Sequence, residues 1–433
     1  MPVYYLLTFG QAFLLAMVAV VNLVFQATEA GLSPFQLVLI GTAQEATIFL
    51  CEVPTGIVAD VYSRRLSVLM GFVVSGLGLL LVGSFAMFET ILVGSIIWGL
   101  GFTFISGALH AWISDEIGVE QASKVFLRGS QVELLARIAA IPVAVGIAYW
   151  ELNAPILIAG GLLILLALLL STMMPETGFQ REPAATRARV SLPGKVKTSV
   201  ALVTMSPLLM TVFGIALFYG MTSEGFDRLW TAHFLRDLGL PTSPSSITIV
   251  GTSLTLEPII WFGLIRLVGT FLALGASELA HRQLDLTSKR VPHWLLFINT
   301  GQMLSILVLA VAGGFWLGVA AFWTAATLSR VYDPLYLAWL NQNVRSEVRA
   351  TVLSMSGQAD AFGQIAGGPV IGAIGSVVSL RAALAATAAA MLPALALYLR
   401  AFNLGPAADV KPVEVAAGAG AVSPLEEVAG PEP

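Results

Sequence analysis

The chain has 433 residues, of which 57% are hydrophobic and only 11% charged, and its mean hydropathy is +0.85. A soluble protein of this size carries about 25% charged residues, so composition excludes a water-soluble fold. The net charge of -4 is small and says nothing about nucleic acid, and a single cysteine, Cys51, excludes an internal disulfide framework. The expected class is an all-α integral membrane protein.

A helix needs about 20 apolar residues to cross the hydrocarbon layer. Twelve segments meet that length: 4–27, 34–59, 66–88, 90–113, 126–149, 153–174, 205–235, 252–281, 292–313, 315–340, 351–376 and 380–402. The first has neither a basic n-region nor a small-residue cleavage site after it, and reads as a retained helix rather than a cleaved signal. Residues 175–204, with Pro, Arg and Lys, form a linker that divides the spans into a bundle over 1–174 and another over 205–403. The tail, 404–433, is rich in Ala, Gly, Pro, Val and Glu and reads as disordered.

Basic residues set the orientation. With both termini inside, sixteen of the 22 Lys and Arg fall on inner loops and ends, among them Arg64, Arg65, Lys124, Arg128, Arg282, Lys289 and Arg345. The outer side keeps only Arg236 and Arg381. The halves also repeat. Residues 111–146 lie over 338–373 at a constant offset of 227 without gaps, matching Ala111-Trp112 to Ala338-Trp339, Val125 to Val352, Gln131 to Gln358, Glu133 to Asp360 and Pro142 to Pro369. This implies two six-helix halves related by a pseudo-two-fold axis along the membrane normal, with a binding site between them at the midplane.

Ionisable groups inside a span are costly unless paired or hydrated, so they mark cavities and paths. The second span carries Glu45 and Glu52; the fifth carries Glu133 and Arg137. The seventh has Glu224, Asp227 and Arg228, the eighth Arg266, the tenth Arg330 and Asp333, and the eleventh Asp360. The third, sixth and twelfth have none in their interiors, and the ninth has only His293 near its inner end. Every third span is therefore expected to face lipid while the other eight surround a polar centre. Glu133 with Arg137, and Glu224 with Arg228, are spaced i,i+4; Arg330 and Asp333 are i,i+3, the spacing of internal ion pairs. Asp227 shares Arg228 with Glu224, and Glu45 has no base within a turn. Glu45 and the Glu224/Asp227 pair are thus candidates for proton or cation coupling.

Between the second and third spans stands Gly56-Ile-Val-Ala-Asp60-Val-Tyr-Ser-Arg64-Arg65. This resembles the signature loop of the major facilitator superfamily, G-x-L-A-D-R-x-G-R-K, with Val61 in place of the usual arginine and Ser63 in place of the second glycine. The resemblance implies a cytoplasmic gate motif at Gly56, Asp60, Arg64 and Arg65. There Gly56 would allow close helix contact, and Asp60 would pair with a base or a helix N-terminus of the other half. Trp98-Gly-Leu-Gly101, Ser106-Gly-Ala, Ala111-Trp112-Ile-Ser-Asp115-Glu116 and Ser223-Glu-Gly-Phe-Asp-Arg-Leu-Trp230 look like bacterial drug-efflux carriers of the macrolide and tetracycline exporter type. Two departures stand against antiport. The fourth span lacks a basic residue, and the Gly-Pro motif of the fifth is reduced to Ile141-Pro142-Val-Ala-Val-Gly146, with a fuller copy at Gly367-Gly368-Pro369-Val-Ile-Gly372 in the eleventh.

The expected function is secondary active transport: proton-coupled efflux of hydrophobic, drug-like small molecules by alternating access. Phe218, Tyr219, Phe226, Trp230, Tyr332, Tyr336 and Trp339 are candidates to line the pocket or to pack. The alternatives are a proton-coupled uptake symporter for a small nutrient and, from another class, an intramembrane enzyme or a transport-dead receptor. No G-x-S-x-G, H-E-x-x-H or G-x-G-D motif supports the enzyme reading. No cofactor or metal is expected. The expected partners are a small-molecule substrate, protons and the bilayer, for a monomer in the plasma (inner) membrane with both termini cytoplasmic.

Overall fold

The computed structural model describes residues 1–179, 207–241, 246–249, 252–255, 257–284, 290–344 and 349–402. The expected tail, all but the first few residues of the expected linker, and the loop bases Lys289 and Arg345 lie outside the described residues. The first six helices are α1 (Pro2–Thr28), α2 (Pro34–Val61), α3 (Arg64–Ser84), α4 (Phe88–Ile117), α5 (Val119–Ala148) and α6 (Ala154–Met173). After the linker come α7 (Pro207–His233), α8 (Pro258–Gln283), α9 (Val291–Val311), α10 (Phe315–Asn343), α11 (Arg349–Val377), α12 (Leu380–Ala389) and α13 (Leu392–Ala401). Among the described residues ten segments are long and apolar enough to cross a membrane, α12 and α13 counting as one. The helices α10 and α11 have the length, 29 residues each, with a more polar composition.

Local chemistry sets the ends. Ser33 and Gln36 form a capping box at the start of α2: the Gln36 N–H donates to Ser33 Oγ and the Ser33 N–H donates to Gln36 Oε1. Ser63 caps α3 and Ser379 caps α12 more simply, each side chain accepting one backbone N–H, of Leu66 and of Ala382. Proline at the first or second helical position opens α1, α2, α6, α8, α9 and α13, where no N–H partner is needed. Gly118, at φ 79°, makes the sharp turn between α4 and α5, a backbone that only glycine adopts without strain.

Three expectations are corrected. The fifth span starts at Val119, seven residues before the expected 126, because the turn at Gly118 is tight enough to begin the helix at once. The eighth starts at Pro258 rather than 252. Residues 252–255 instead form β2, paired antiparallel with β1 (Ser246–Ile249), so among the described residues the fold is all-α except for this one hairpin. Its β-branched alternation, Ser-Ile-Thr-Ile and Thr-Ser-Leu-Thr, suits a strand better than a helix. The last expected helix is broken at Ala390-Met391, where Pro393 cannot continue the ladder.

The helices pack in two sets. In the first, α3 lies against α4 and α6, α1 against α5 and α6, and α2 against α4. In the second, α7 lies against α11, α12 and α13, α9 against α10, α12 and α13, and α8 against α10. Lipid removes most of the hydrophobic driving force between helices, so close packing has to hold them. Glycines serve that end in the α3–α4 seam, where Gly78 abuts the backbone at Gly94 and Trp98. In their principal packing α3, α6, α9, α12 and α13 touch only their own set, and so do α4 and α10.

The sets meet through α2 with α11 and α7, α5 with α8, and α1 with α7 and α8. The face bearing the Asp60–Arg65 loop is called here the motif face, and the face bearing β1 and β2 the hairpin face. The contacts that join the sets cluster toward the hairpin face. There the Phe35 N–H donates to Ser376 Oγ at 2.8 Å and Arg236 donates to the Leu32 carbonyl at 2.7 Å. Toward the motif face α2 emerges from cover, and Leu50 is 68% exposed and Val53 46%. The sets are thus closed on the hairpin face and parted on the motif face.

Candidate functional site

One group of charges sits where the two sets meet. From α7, Glu224 and Arg228 project one turn apart, with Glu224 Oε1 3.3 Å from Arg228 Nε and Glu224 only 3% exposed. They lie directly over Gly41 of α2, where any side chain would run into both the carboxylate and the guanidinium. On the other side of Glu224, Gly368 of α11 leaves room for its stem and for Thr42. A close three-helix junction of α2, α7 and α11 therefore encloses a buried ion pair, with glycine on two of its walls. Glu45, one turn along α2 from Gly41, lies within electrostatic reach of Arg228 and Asp227. Its missing partner comes from the other set, which no local spacing could reveal.

Asp227 is exposed, toward the parted region, and interacts with Arg228, Arg330 of α10 and Arg266 of α8. Arg266 in turn places its guanidinium 5.4 Å from the Trp230 ring centre, a cation–π contact. Asp333 interacts with Arg330 on its own helix and with Asp227 of α7. Asp360 of α11 accepts a hydrogen bond from Gln364 at 2.8 Å, and the charged groups acting on it are Glu45, Asp333 and Asp227, acids all. The group as a whole holds five carboxylates (Glu45, Glu224, Asp227, Asp333, Asp360) and three arginines (Arg228, Arg266, Arg330). Acid exceeds base, and Asp360 is the member on which, of the charged groups, only acids act.

Other expected site residues lie apart. Glu133 and Arg137 form their own ion pair at 2.5 Å on α5, half exposed. Glu52, nearer the motif face, accepts from Gln358 of α11 at 3.3 Å, an exposed bridge between the sets. In the loop motif, Gly56 has nothing within 4 Å of where a side chain would begin, so the close contact expected there is absent in this state, in which the motif face is open. Asp60, 62% exposed, pairs with Arg64 of its own loop at 3.7 Å rather than with the other set. Arg64 also binds the Asp115 carboxylate and, at 3.0 Å, the Ala111 carbonyl; Arg65 donates to the Ser171 carbonyl. The motif's bases are thus folded back onto α4 and α6.

The expected aromatic lining is mostly packing. Tyr219 stacks on Tyr332 at 4.2 Å between ring centres, and Trp230 stacks on Phe322 at the same distance. Phe226, Trp230, Tyr332, Tyr336 and Trp339 are buried in the second set's core, while Phe218 and Tyr219 are half-buried. Among the described residues no three His, Cys, Asp or Glu side chains are placed to hold a metal ion. At the hairpin face Glu29, Tyr149, Trp150, Glu151 and Glu257 line a cavity of about 290 Å³. Burial, and then the neighbouring Glu151 carboxylate, push the Glu29 carboxyl above the usual carboxylate range.

Comparison with known proteins bears on the whole chain. The family model described as Major Facilitator Superfamily matches residues 4–292. An uncharacterized MFS-type transporter of Bacillus subtilis (strain 168), YxaM, is 23% identical over 372 residues, covering 84% of this chain and 86% of that protein. Among solved structures, a bacterial homolog of the human lysosomal transporter Spinster superposes with a TM-score of 0.69 at 15% identity, over 92% of this chain and 96% of that one. The nucleoside transporter NupG gives 0.69 at 14%, over 92% and 99%. A POT family transporter in complex with 5-aminolevulinic acid gives 0.66 at 11%, over 92% and 95%. At these identities the structural likeness is one of fold.

Proposed function

Because the chain belongs to the major facilitator superfamily, whose members are transporters and not enzymes, we propose that it is a proton-coupled exporter of hydrophobic, cationic small molecules working by alternating access. The observation that carries this reading is the charge group between the sets, with five acids against three arginines. A proton and a cationic substrate can compete for the surplus carboxylates, and that competition is what antiport requires. Within the group, Asp360 and Glu45 are the coupling pair. They stand on α11 and α2, in different sets, so protonation of either changes the electrostatics across the divide.

The same reading takes the chain as twelve spans in two halves, 1–174 and 205–403, related by a pseudo-two-fold axis. Two observations support this. The helix ends at Ile117 and Asn343 fall within a residue of the offset of 227, and Trp112 and Trp339, matched at that offset, are both buried. The motif face is taken as cytoplasmic, from the bias of basic residues, which makes the present state inward-open in the plasma (inner) membrane. Asp60 and its loop then serve as the gate that shuts the motif face in the opposite state.

The test is proton flux in proteoliposomes of the purified chain. Addition of a lipophilic cation on the motif side of vesicles carrying an imposed pH gradient should drive protons in the opposite direction to the cation. Co-directional movement of proton and substrate would overturn export and establish the symport reading.

A further inference from the structure

The chain leaving α6 is tied down at once. The Trp112 indole N–H donates to the Pro175 carbonyl at 2.7 Å. Glu116, at the end of α4, accepts the backbone N–H groups of Thr177 at 2.6 Å and Gly178 at 2.8 Å, and the Thr177 hydroxyl at 2.8 Å. Between these points Glu176 turns toward the motif loop. Its carboxylate accepts the Ser63 hydroxyl, at 2.9 and 2.7 Å to its two oxygens, and the Arg65 N–H at 3.0 Å. The Phe179 ring lies 5.9 Å from the Arg64 guanidinium. Residues 175–179 thus form a strap that binds the loop to α4.

Ser63 is one of the places where the chain departs from the superfamily signature, which has glycine there. Its hydroxyl has two tasks here: it accepts the Leu66 N–H at 2.9 Å, capping α3, and it donates to Glu176. A glycine could do neither. The Glu176 carboxylate also sits at the N-terminus of α3, where a negative charge is favoured by the helix dipole.

We infer that Glu176 is a positioning residue for the gate: acting through Ser63 and the Arg65 backbone, it holds the loop in the geometry from which Asp60 closes the motif face. This rests on the alternating-access reading above. A loop already ordered in the open state pays no ordering cost at closure. Without Glu176 that cost falls on the closed state alone, because in the open state the loop's ion pairs and hydrogen bonds stay within its own set.

The native Cys51, partly exposed on the half of α2 that emerges toward the motif face, reports closure by its alkylation rate. Gly41→Leu, which drives the hairpin-face junction apart, should slow labelling of Cys51 in the full chain reconstituted in nanodiscs. Adding Glu176→Ala to Gly41→Leu should restore labelling by roughly tenfold, the worth of a hydrogen bond to a charged group. Ser63→Gly should restore it similarly, and the two together should not add, since they remove one contact. Serine to glycine at an N-cap changes helix stability little, so a Ser63→Gly effect on labelling without a matching loss of thermal stability isolates the gate. If Gly41→Leu protects Cys51 and neither second substitution reverses it, the positioning role is wrong. If Gly41→Leu leaves Cys51 fully reactive, alternating access through this junction is wrong, and the gate role falls with it.

Discussion

Replacing Gly41 by alanine adds one methyl at the place where α2 meets the Glu224–Arg228 pair. That methyl would overlap the Glu224 carboxylate and the Arg228 guanidinium, and of the two Glu224 has little room to retreat. Glu224 is 3% exposed, its stem is backed by Gly368, and its carboxylate is held by Arg228. Overpacking of a well-filled site costs about 1–3 kcal/mol. The overlap exists only while the sets are joined on the hairpin face; once α2 and α7 part, the methyl meets nothing. The whole penalty therefore falls on the present conformation and biases the equilibrium toward its opposite by about 5- to 150-fold. Alkylation of Cys51 from the motif side measures this directly and should slow as the motif face spends less time open. Gly161→Ala, on peripheral α6 with open space around it, serves as the control and should label at the wild-type rate. Wild-type labelling and wild-type transport in Gly41→Ala would show that the junction yields without cost, and the coupling of this ion pair to gating would be refuted.

Three further outcomes are expected. Asp360→Asn, which leaves shape and the Gln364 side chain in place but removes a carboxylate surrounded by acids, should abolish the dependence of transport on a pH gradient while substrate still binds; an unchanged gradient dependence in flux assays would move the coupling role elsewhere. Asp60→Asn should cut turnover at least tenfold with expression intact, because the closed motif face loses its charged partner; wild-type turnover would exclude Asp60 from the gate. At the hairpin face, Glu29 has a folded-state carboxyl raised above its unfolded value by burial and by Glu151. The folded state therefore holds that proton more tightly, and stability rises as pH falls through the raised range and is lost above it. Thermal unfolding of Glu29→Gln should thus exceed that of wild type at neutral pH and converge with it in acid; parallel curves would show that neither burial nor the Glu151 carboxylate raises the Glu29 carboxyl.

Much of the helical framework was legible because lipid imposes a blunt rule: some 20 apolar residues, with charges excluded unless they serve a purpose. The helix starts at Pro34, Phe315 and Leu380 could be read to the residue. The paired strands at 246–249 and 252–255 could not, because Ile, Leu and Thr are as apolar in a strand as in a span, and a hydropathy window does not distinguish them. At the site, pairs within one helix, such as Glu224 with Arg228 and Glu133 with Arg137, followed from spacing. Pairings between helices did not. Arg228 beside Glu45, Trp230 beneath Arg266, and the acids around Asp360 depend on which helices meet, and that is set by the junction at Gly41 and Gly368. The aromatic residues stayed open between lining and packing for a related reason: their spacing is the same whether a stripe faces a pocket or the core. Glu176 carried one available signal, its place directly after the sixth span facing a loop with serine where the signature has glycine.

The polarity of α10 and α11 bears on how the molecule is made. An arginine or aspartate near the centre of an inserting helix opposes insertion by about 2.5–3.5 kcal/mol, and α10 carries Arg330 and Asp333 there while α11 carries Asp360. Neither helix gains enough from its own side chains to be as secure in the bilayer as α6 or α9. Their polar faces are satisfied by α7, α8 and α2, all synthesised earlier, so these two helices enter lipid as late arrivals in a partly built assembly. The groups that make the centre of the protein chemically useful are the ones that make its final third depend on all that precedes it.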